Sequence, residues 1–137
     1  MILDRMLFNS GTGNFEVSVI DSDKTFFIRL SDFKENEKDN AFALSSDICE
    51  WVKSNLNAVK NFCASKLLSL KNETWLDEEE EPLSEKEFVQ KITLDSIIAF
   101  SDRSFTIYFN DNDLFWGHAI AVDVNKERTL TDANIAG

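Results

Sequence analysis

One histidine, His118, follows Trp116 and Gly117 in the stretch DNDLFWGHAIAV, residues 111–122. An imidazole titrates near neutral pH, and it works as a general base when a carboxylate orients it and a nucleophile stands beside it. Asp111, Asp113 and Asp132 are candidates for the carboxylate. Ser104 and Thr106 are hydroxyls that a hairpin would bring near. Such a set would make a small hydrolase or transferase that depends on His118. No nucleophile motif surrounds either hydroxyl, and Cys49 and Cys63 fall on the apolar side of a helix. The competing account is architectural. Trp116 packs on a helix, Gly117 marks a bulge inside a strand, and His118 lies on the outer face. The sequence favours this second account and a non-enzymatic protein.

Metal and cofactor chemistry find less support. One His and no cysteine cluster exclude the usual zinc sets. Asp111-Asn112-Asp113 begins like a calcium loop, but Phe115 and Trp116 stand where ligands and the turn glycine belong. The chain has neither a phosphate-cradling glycine loop nor a dinucleotide fingerprint, so no metal and no cofactor is expected.

A third group of residues offers recognition instead. Asp77, Glu78, Glu79, Glu80 and Glu81 are five consecutive acids that end at Pro82. They repel one another and the proline blocks helix continuation, so an exposed linker is expected. An exposed acidic strip would steer a basic partner, raising its on-rate and fixing its orientation.

The elements that position these residues follow from periodicity. The segments Ile2–Phe8, Phe15–Ile20 and Thr25–Leu30 read as strands, the last two by alternation, separated by turns at 9–14 and 21–24. A polar loop is expected over Lys34–Asn40. Caps at Ser45-Ser46-Asp47, with Glu50 completing a capping box, then open a long helix. Its apolar stripe runs Ile48, Trp51, Val52, Leu56, Val59, Phe62, Cys63, Leu67 and Leu70, ending near Asn72. Ser84 and Glu87 form a second capping box for a short helix over Glu85–Lys91, with Phe88 and Ile92 inward. Strands return at Leu94–Phe100, Ser104–Phe109 and Leu114–Val124, and Lys126–Ala133 reads as a final polar segment. The order is three strands, two helices, three strands. That is an α+β fold, with an antiparallel sheet of about six strands and both helices on one face.

The bulk numbers agree with a single domain over 1–137. Hydrophobic residues make up 43% and aromatic residues 12%, enough for a packed core. There are 25 Asp and Glu against 14 Lys and Arg, a formal charge of -11. That argues against a nucleic-acid or anionic-membrane partner and permits a basic protein. The two cysteines sit about 21 Å apart along the helix, too far to pair within one copy. Unpaired thiols fit a reducing compartment. No signal peptide or bilayer-spanning segment is visible, so the cytoplasm is the expected location.

The C-terminal third carries a resemblance. Asp113–Ile120, reading DLFWGHAI, and the tail Thr131–Gly137, reading TDANIAG, resemble the end of an uncharacterised bacterial family, one of the domain-of-unknown-function groups. Its members carry a DLFWGH-type segment and a DADIAG-like tail. Asn134 stands here where Asp is commoner. The resemblance extends weakly over the acidic linker, the SEKEF helix start and the long helix. It implies no catalytic residue. Similar small acidic domains occur as immunity proteins encoded beside secreted toxins, many of them basic nucleases.

The expected function is therefore a bacterial protein-binding domain, most concretely an immunity protein that neutralises a basic toxin through its acidic surface. Asp77, Glu78, Glu79, Glu80 and Glu81 would make the contact, with Trp116 and His118 as a secondary patch. The alternatives are a structural domain that associates with itself through a Phe-rich sheet face or edge, and the His-dependent hydrolase.

Overall fold

The computed structural model of the chain describes residues 1–136; Gly137, the last residue of the tail motif, lies outside the described residues. The strands are β1 (Ile2–Asn9), β2 (Asn14–Asp21), β3 (Lys24–Leu30), β4 (Thr93–Ala99), β5 (Phe105–Asn110), β6 (Ala119–Val124) and β7 (Leu130–Ala136). The helices are α1 (Lys38–Thr74), preceded by a single 3-10 turn over Glu35–Glu37, and α2 (Glu85–Lys91). All seven strands lie in one sheet in sequence order, β1 through β7. Every neighbouring pair is antiparallel except β3 and β4, which run parallel because both helices intervene. The fold is α+β, as the sequence indicates.

Alternation assigns the two faces of the sheet. Phe15, Val17 and Val19 on β2, Phe26, Ile28 and Leu30 on β3, and Phe105, Ile107 and Phe109 on β5 are buried on the inner face. Each such side chain contributes about 1.5–3 kcal/mol relative to exposure. Helix α1 covers this face with Ala41, Leu44, Ile48, Val52, Val59, Cys63 and Leu67. Its 37 residues span about 55 Å, so it crosses the sheet and overruns it. The residues beyond the sheet form the corner described below.

Four expectations need correction. The sheet has seven strands because Leu130–Ala136 pairs with β6 from Ala119↔Ala136 to Val124↔Leu130. This segment buries only Ala133; an edge strand with so little apolar content gives a faint alternation signal. The helix begins at Lys38, seven residues before the expected caps. Ala41, Leu44, Ser45 and Ile48 carry the stripe backwards at helical spacing, and all are buried. Ser45 donates to the Ala41 carbonyl at 2.9 Å and Asp47 pairs with Arg103 at 2.8 Å, so neither caps anything. Leu70, placed on the stripe, is exposed. The stretch 114–118 is a chain of turns rather than the start of a strand, which begins at Ala119.

The short helix is as expected. Glu87 N–H donates to the Ser84 hydroxyl at 3.2 Å and Ser84 N–H to the Glu87 carboxylate at 3.0 Å. Phe88 and Ile92 are buried. Both cysteines are free and buried on the one continuous helix. Burial pushes their thiols up, to about 11 at Cys49 and about 12 at Cys63.

Candidate functional site

The end of α1 carries two loops that meet at Trp75. The first loop runs from Trp75 to Leu83 and holds the acidic run. Two residues of the last helical turn fasten it. Lys71 is fully buried, and its ammonium donates to the Trp75 carbonyl at 2.6 Å and to Glu80 Oε1 at 2.8 Å. Asn72 makes a two-way amide clamp. It donates to the Leu83 carbonyl at 3.0 Å and accepts from Leu83 N–H at 2.9 Å. Glu80 also accepts from Asp77 N–H at 3.2 Å. The Lys71 ammonium first, then the Asp77 N–H, hold the Glu80 carboxyl below its ordinary value.

The acidic run is thus a fixed turn and not a free linker. Glu80 faces inward onto Lys71, whereas Asp77, Glu78, Glu79 and Glu81 remain exposed. Mutual repulsion among the acids is offset by a buried cation, which the run itself does not reveal. Lys71 follows Val59, Cys63 and Leu67 at four-residue intervals on the buried stripe, and only its residue type assigns it to the solvated face.

The second loop runs from Asp111 to His118 and is organised by one carboxylate. Asp111 is 3% exposed. It accepts from the backbone N–H groups of Asp113 at 3.3 Å, Phe115 at 2.8 Å and Gly117 at 3.1 Å. Asn112 donates to the Lys91 carbonyl, tying the loop to the end of α2. Four residues here have left-handed backbone: Asn112, Asp113, Trp116 and Gly117. Asn and Asp tolerate that region and Gly occupies it freely. Trp116, at φ 55°, does not, and an outlier of this kind costs on the order of 1–3 kcal/mol. The surrounding hydrogen bonds hold it there.

The strain has a visible product. Leu114 and Phe115 turn inward, and Phe115 packs edge-on against Phe88 and Trp75. Trp116 turns outward and stays 57% exposed. Its indole stands edge-on to Trp75 at a centroid distance of 4.8 Å, and the half-buried His118 ring meets Trp75 at 5.7 Å. Trp116 therefore meets the helix only at its C-cap, Trp75, and stays exposed rather than packed along it. It stands on the aromatic shelf that ends the helix, two residues of chain from the acidic turn. Gly117, at φ 94°, closes the loop ahead of β6 and is no strand bulge.

The hydrolase set is not assembled. Both oxygens of Asp111 are taken by backbone N–H groups. Asp113 is exposed, and Asp132 accepts from Asn134 on β7. Ser104 donates to Asp102 at 2.6 Å and Thr106 to Asp123 at 2.8 Å. Among the described residues, no side chain hydrogen-bonds the His118 ring, and no three His, Cys, Asp or Glu side chains are gathered for a metal ion. Among the same residues, no helix is long and apolar enough to cross a membrane.

These features define a small α+β domain with one helical crossover and an aromatic, acid-rimmed corner. The chain belongs to DUF2262, an uncharacterised protein family conserved in bacteria, whose family model matches residues 2–135. No curated protein and no solved structure matches it.

Proposed function

We propose that this chain is a protein-binding domain whose contact surface is the corner at Trp75, and that its partner is a basic protein. The observation that carries this is the strained, exposed Trp116, propped on Trp75 beside the acidic turn. A large aromatic on a rigid support, flanked by charge, has the character of an interface hot spot. Asp77, Glu78, Glu79 and Glu81 supply the steering charge, and His118 lies within the same patch. Glu80 acts from below, by holding the turn. The most concrete form of this function is an immunity protein that covers a basic surface of a secreted toxin in the bacterial cytoplasm. The net charge of -11 favours such an inhibitor against a nuclease cleft.

The test uses the full chain as tagged bait in extracts of the source cells at low salt, with captured proteins identified by mass spectrometry. A stoichiometric basic partner released by salt is expected. With that partner purified, Trp116→Ala should weaken binding about tenfold or more, chiefly through faster dissociation. Glu78→Lys with Glu79→Lys should slow association, most at low ionic strength. Failure to capture a partner at any salt sinks the proposal, as does a partner indifferent to both variants.

A further inference from the structure

The helices cover only one face of the sheet. Several large apolar residues point from the other. Ile2 is 68% exposed, Leu7 54% and Phe27 53%. Ile98 and Tyr108 are half-buried beside them. Register places Phe27, Ser96 and Tyr108 side by side on β3, β4 and β5. The small Ser96 between two aromatic rings leaves a shallow cavity of about 380 Å³. An apolar sheet face of this kind, on a chain otherwise so strongly acidic, marks an interaction surface.

Charge on this face is divided. The β1–β3 half carries Arg5 and Arg29, with Glu16 tied to Arg29 at 3.7 Å. The β4–β7 half contains Asp95, Asp123 and Asp132, and none of its four strands contains a lysine or arginine. Cross-strand pairing puts Arg29, Ile98, Thr106, Asp123 and Asp132 in one row. Two copies at -11 each repel in most orientations. One arrangement brings opposite charge together. A two-fold axis along β4, between two stacked sheets, lays β1 over β7, β2 over β6 and β3 over β5.

From this we infer that the uncovered sheet face binds a second copy of the chain in that two-fold arrangement. Phe27 of each copy lies over Tyr108 of the other and fills the notch above Ser96. Arg29 then faces Thr106, one strand from Asp123, and Arg5 faces Asn134, two residues from Asp132, so both guanidiniums reach the acidic half diagonally. Glu16, which faces Asp123, is already paired with Arg29. Sheets stacked this way pack about 10 Å apart with strands rotated by about 30°. A seven-stranded sheet of this strand length presents a face of about 600 Å². Two such faces bury about 1,200 Å², the lower end of a stable interface, so the dimer forms in a concentration-dependent way. This surface is separate from the Trp75 corner, and each can fail without the other.

Sedimentation equilibrium of the purified full chain over a wide concentration range tests it. A reversible monomer–dimer equilibrium is expected. Phe27→Asp, at an exposed position, should raise the dissociation constant about tenfold or more. The symmetry gives a stricter check. Variant one carries Arg5→Glu with Arg29→Glu, and variant two carries Asp123→Lys with Asp132→Lys. Alone, each should dissociate more readily than the original chain. Mixed one to one, they should form a heterodimer, because each altered half then faces its new complement. Circular dichroism confirms that every variant is folded. A chain that stays monomeric at all concentrations overturns the inference. So does an oligomer that grows beyond a dimer, a dimer untouched by Phe27→Asp, or a mixture no tighter than its components.

Discussion

Two loops meet at Trp75, and each is held by one inward carboxylate, but the partners differ in kind. Asp111 accepts from three backbone N–H groups of its own loop. Glu80 accepts from a buried lysine on the neighbouring helix. In the first loop the donors are neutral and local, so the carboxylate writes the backbone path residue by residue. In the second the donor is a full charge taken out of water, and the carboxylate's main duty is to keep that charge compensated. The first arrangement buys a precise shape, including a left-handed tryptophan. The second sets the position of a charged turn without fixing each residue in it, and most of its acids stay free in solvent.

This contrast predicts different responses to deletion. The largest effect is expected at Asp111. Asp111→Ala removes three hydrogen bonds to a buried carboxylate and leaves their donors in a loop with four left-handed residues. A loss of about 3–4 kcal/mol in unfolding free energy is expected by urea titration. A loss below about 1 kcal/mol would mean that the loop is held by its aromatic packing alone.

The lysine-bound turn should answer asymmetrically. Glu80→Gln leaves Lys71 buried and short of its counter-charge. It should cost about 2–3 kcal/mol, reduced from the fully buried case because Glu80 keeps some contact with water. Lys71→Met removes the cation and leaves the Trp75 carbonyl without its donor, but the partly exposed Glu80 can turn to water, so the loss should be smaller, about 1–2 kcal/mol. If the two variants cost the same, the pair is acting as an ordinary surface bridge. The pH dependence has a definite sign. The folded Glu80 carboxyl lies below its ordinary 4.5. Its stabilising contribution is present above that ordinary value and is lost as pH falls through the lower folded one. Unfolding midpoints measured on the acid side should show this loss in the original chain, and a shallower one in Glu80→Gln.

The same contrast explains what could be read in the sequence. Strands β2, β3 and β5 and the body of α1 are legible because their apolar residues recur with a period that matches one buried face. The Ser84–Glu87 box is legible because both of its hydrogen bonds are local. Strand β7 is obscured because an edge strand buries little. The beginning of α1 is obscured because polar residues 34–40 precede a stripe whose first member is only an alanine. At the site, Trp116 and the acidic run stand out by residue type. What holds them does not. Lys71 reaches Glu80 across nine residues of sequence, and Asp111 acts through backbone groups, which have no signature in the letters. Asp111 was visible as a carboxylate near His118, and geometry gives it a different duty.

The smallest stability effect is expected at the most conspicuous residue. Trp116 gains an edge-on contact with Trp75, worth about 0.5–1.5 kcal/mol, but it sits in a backbone region that costs a comparable amount. Trp116→Gly gives up the contact and relieves the strain, so the two terms should cancel to within about 1 kcal/mol in urea titration. Trp116→Ala keeps the strain and should be slightly less stable than Trp116→Gly. A residue that contributes so little to its own fold, while its loop is held in place by a buried carboxylate, is positioned for something outside the chain. If Trp116→Gly instead costs more than about 2 kcal/mol, the indole is a structural cap on the helix end. The corner would then lose its standing as a recognition surface, even though the Asp111 loop and the Lys71 turn kept the geometry described for them.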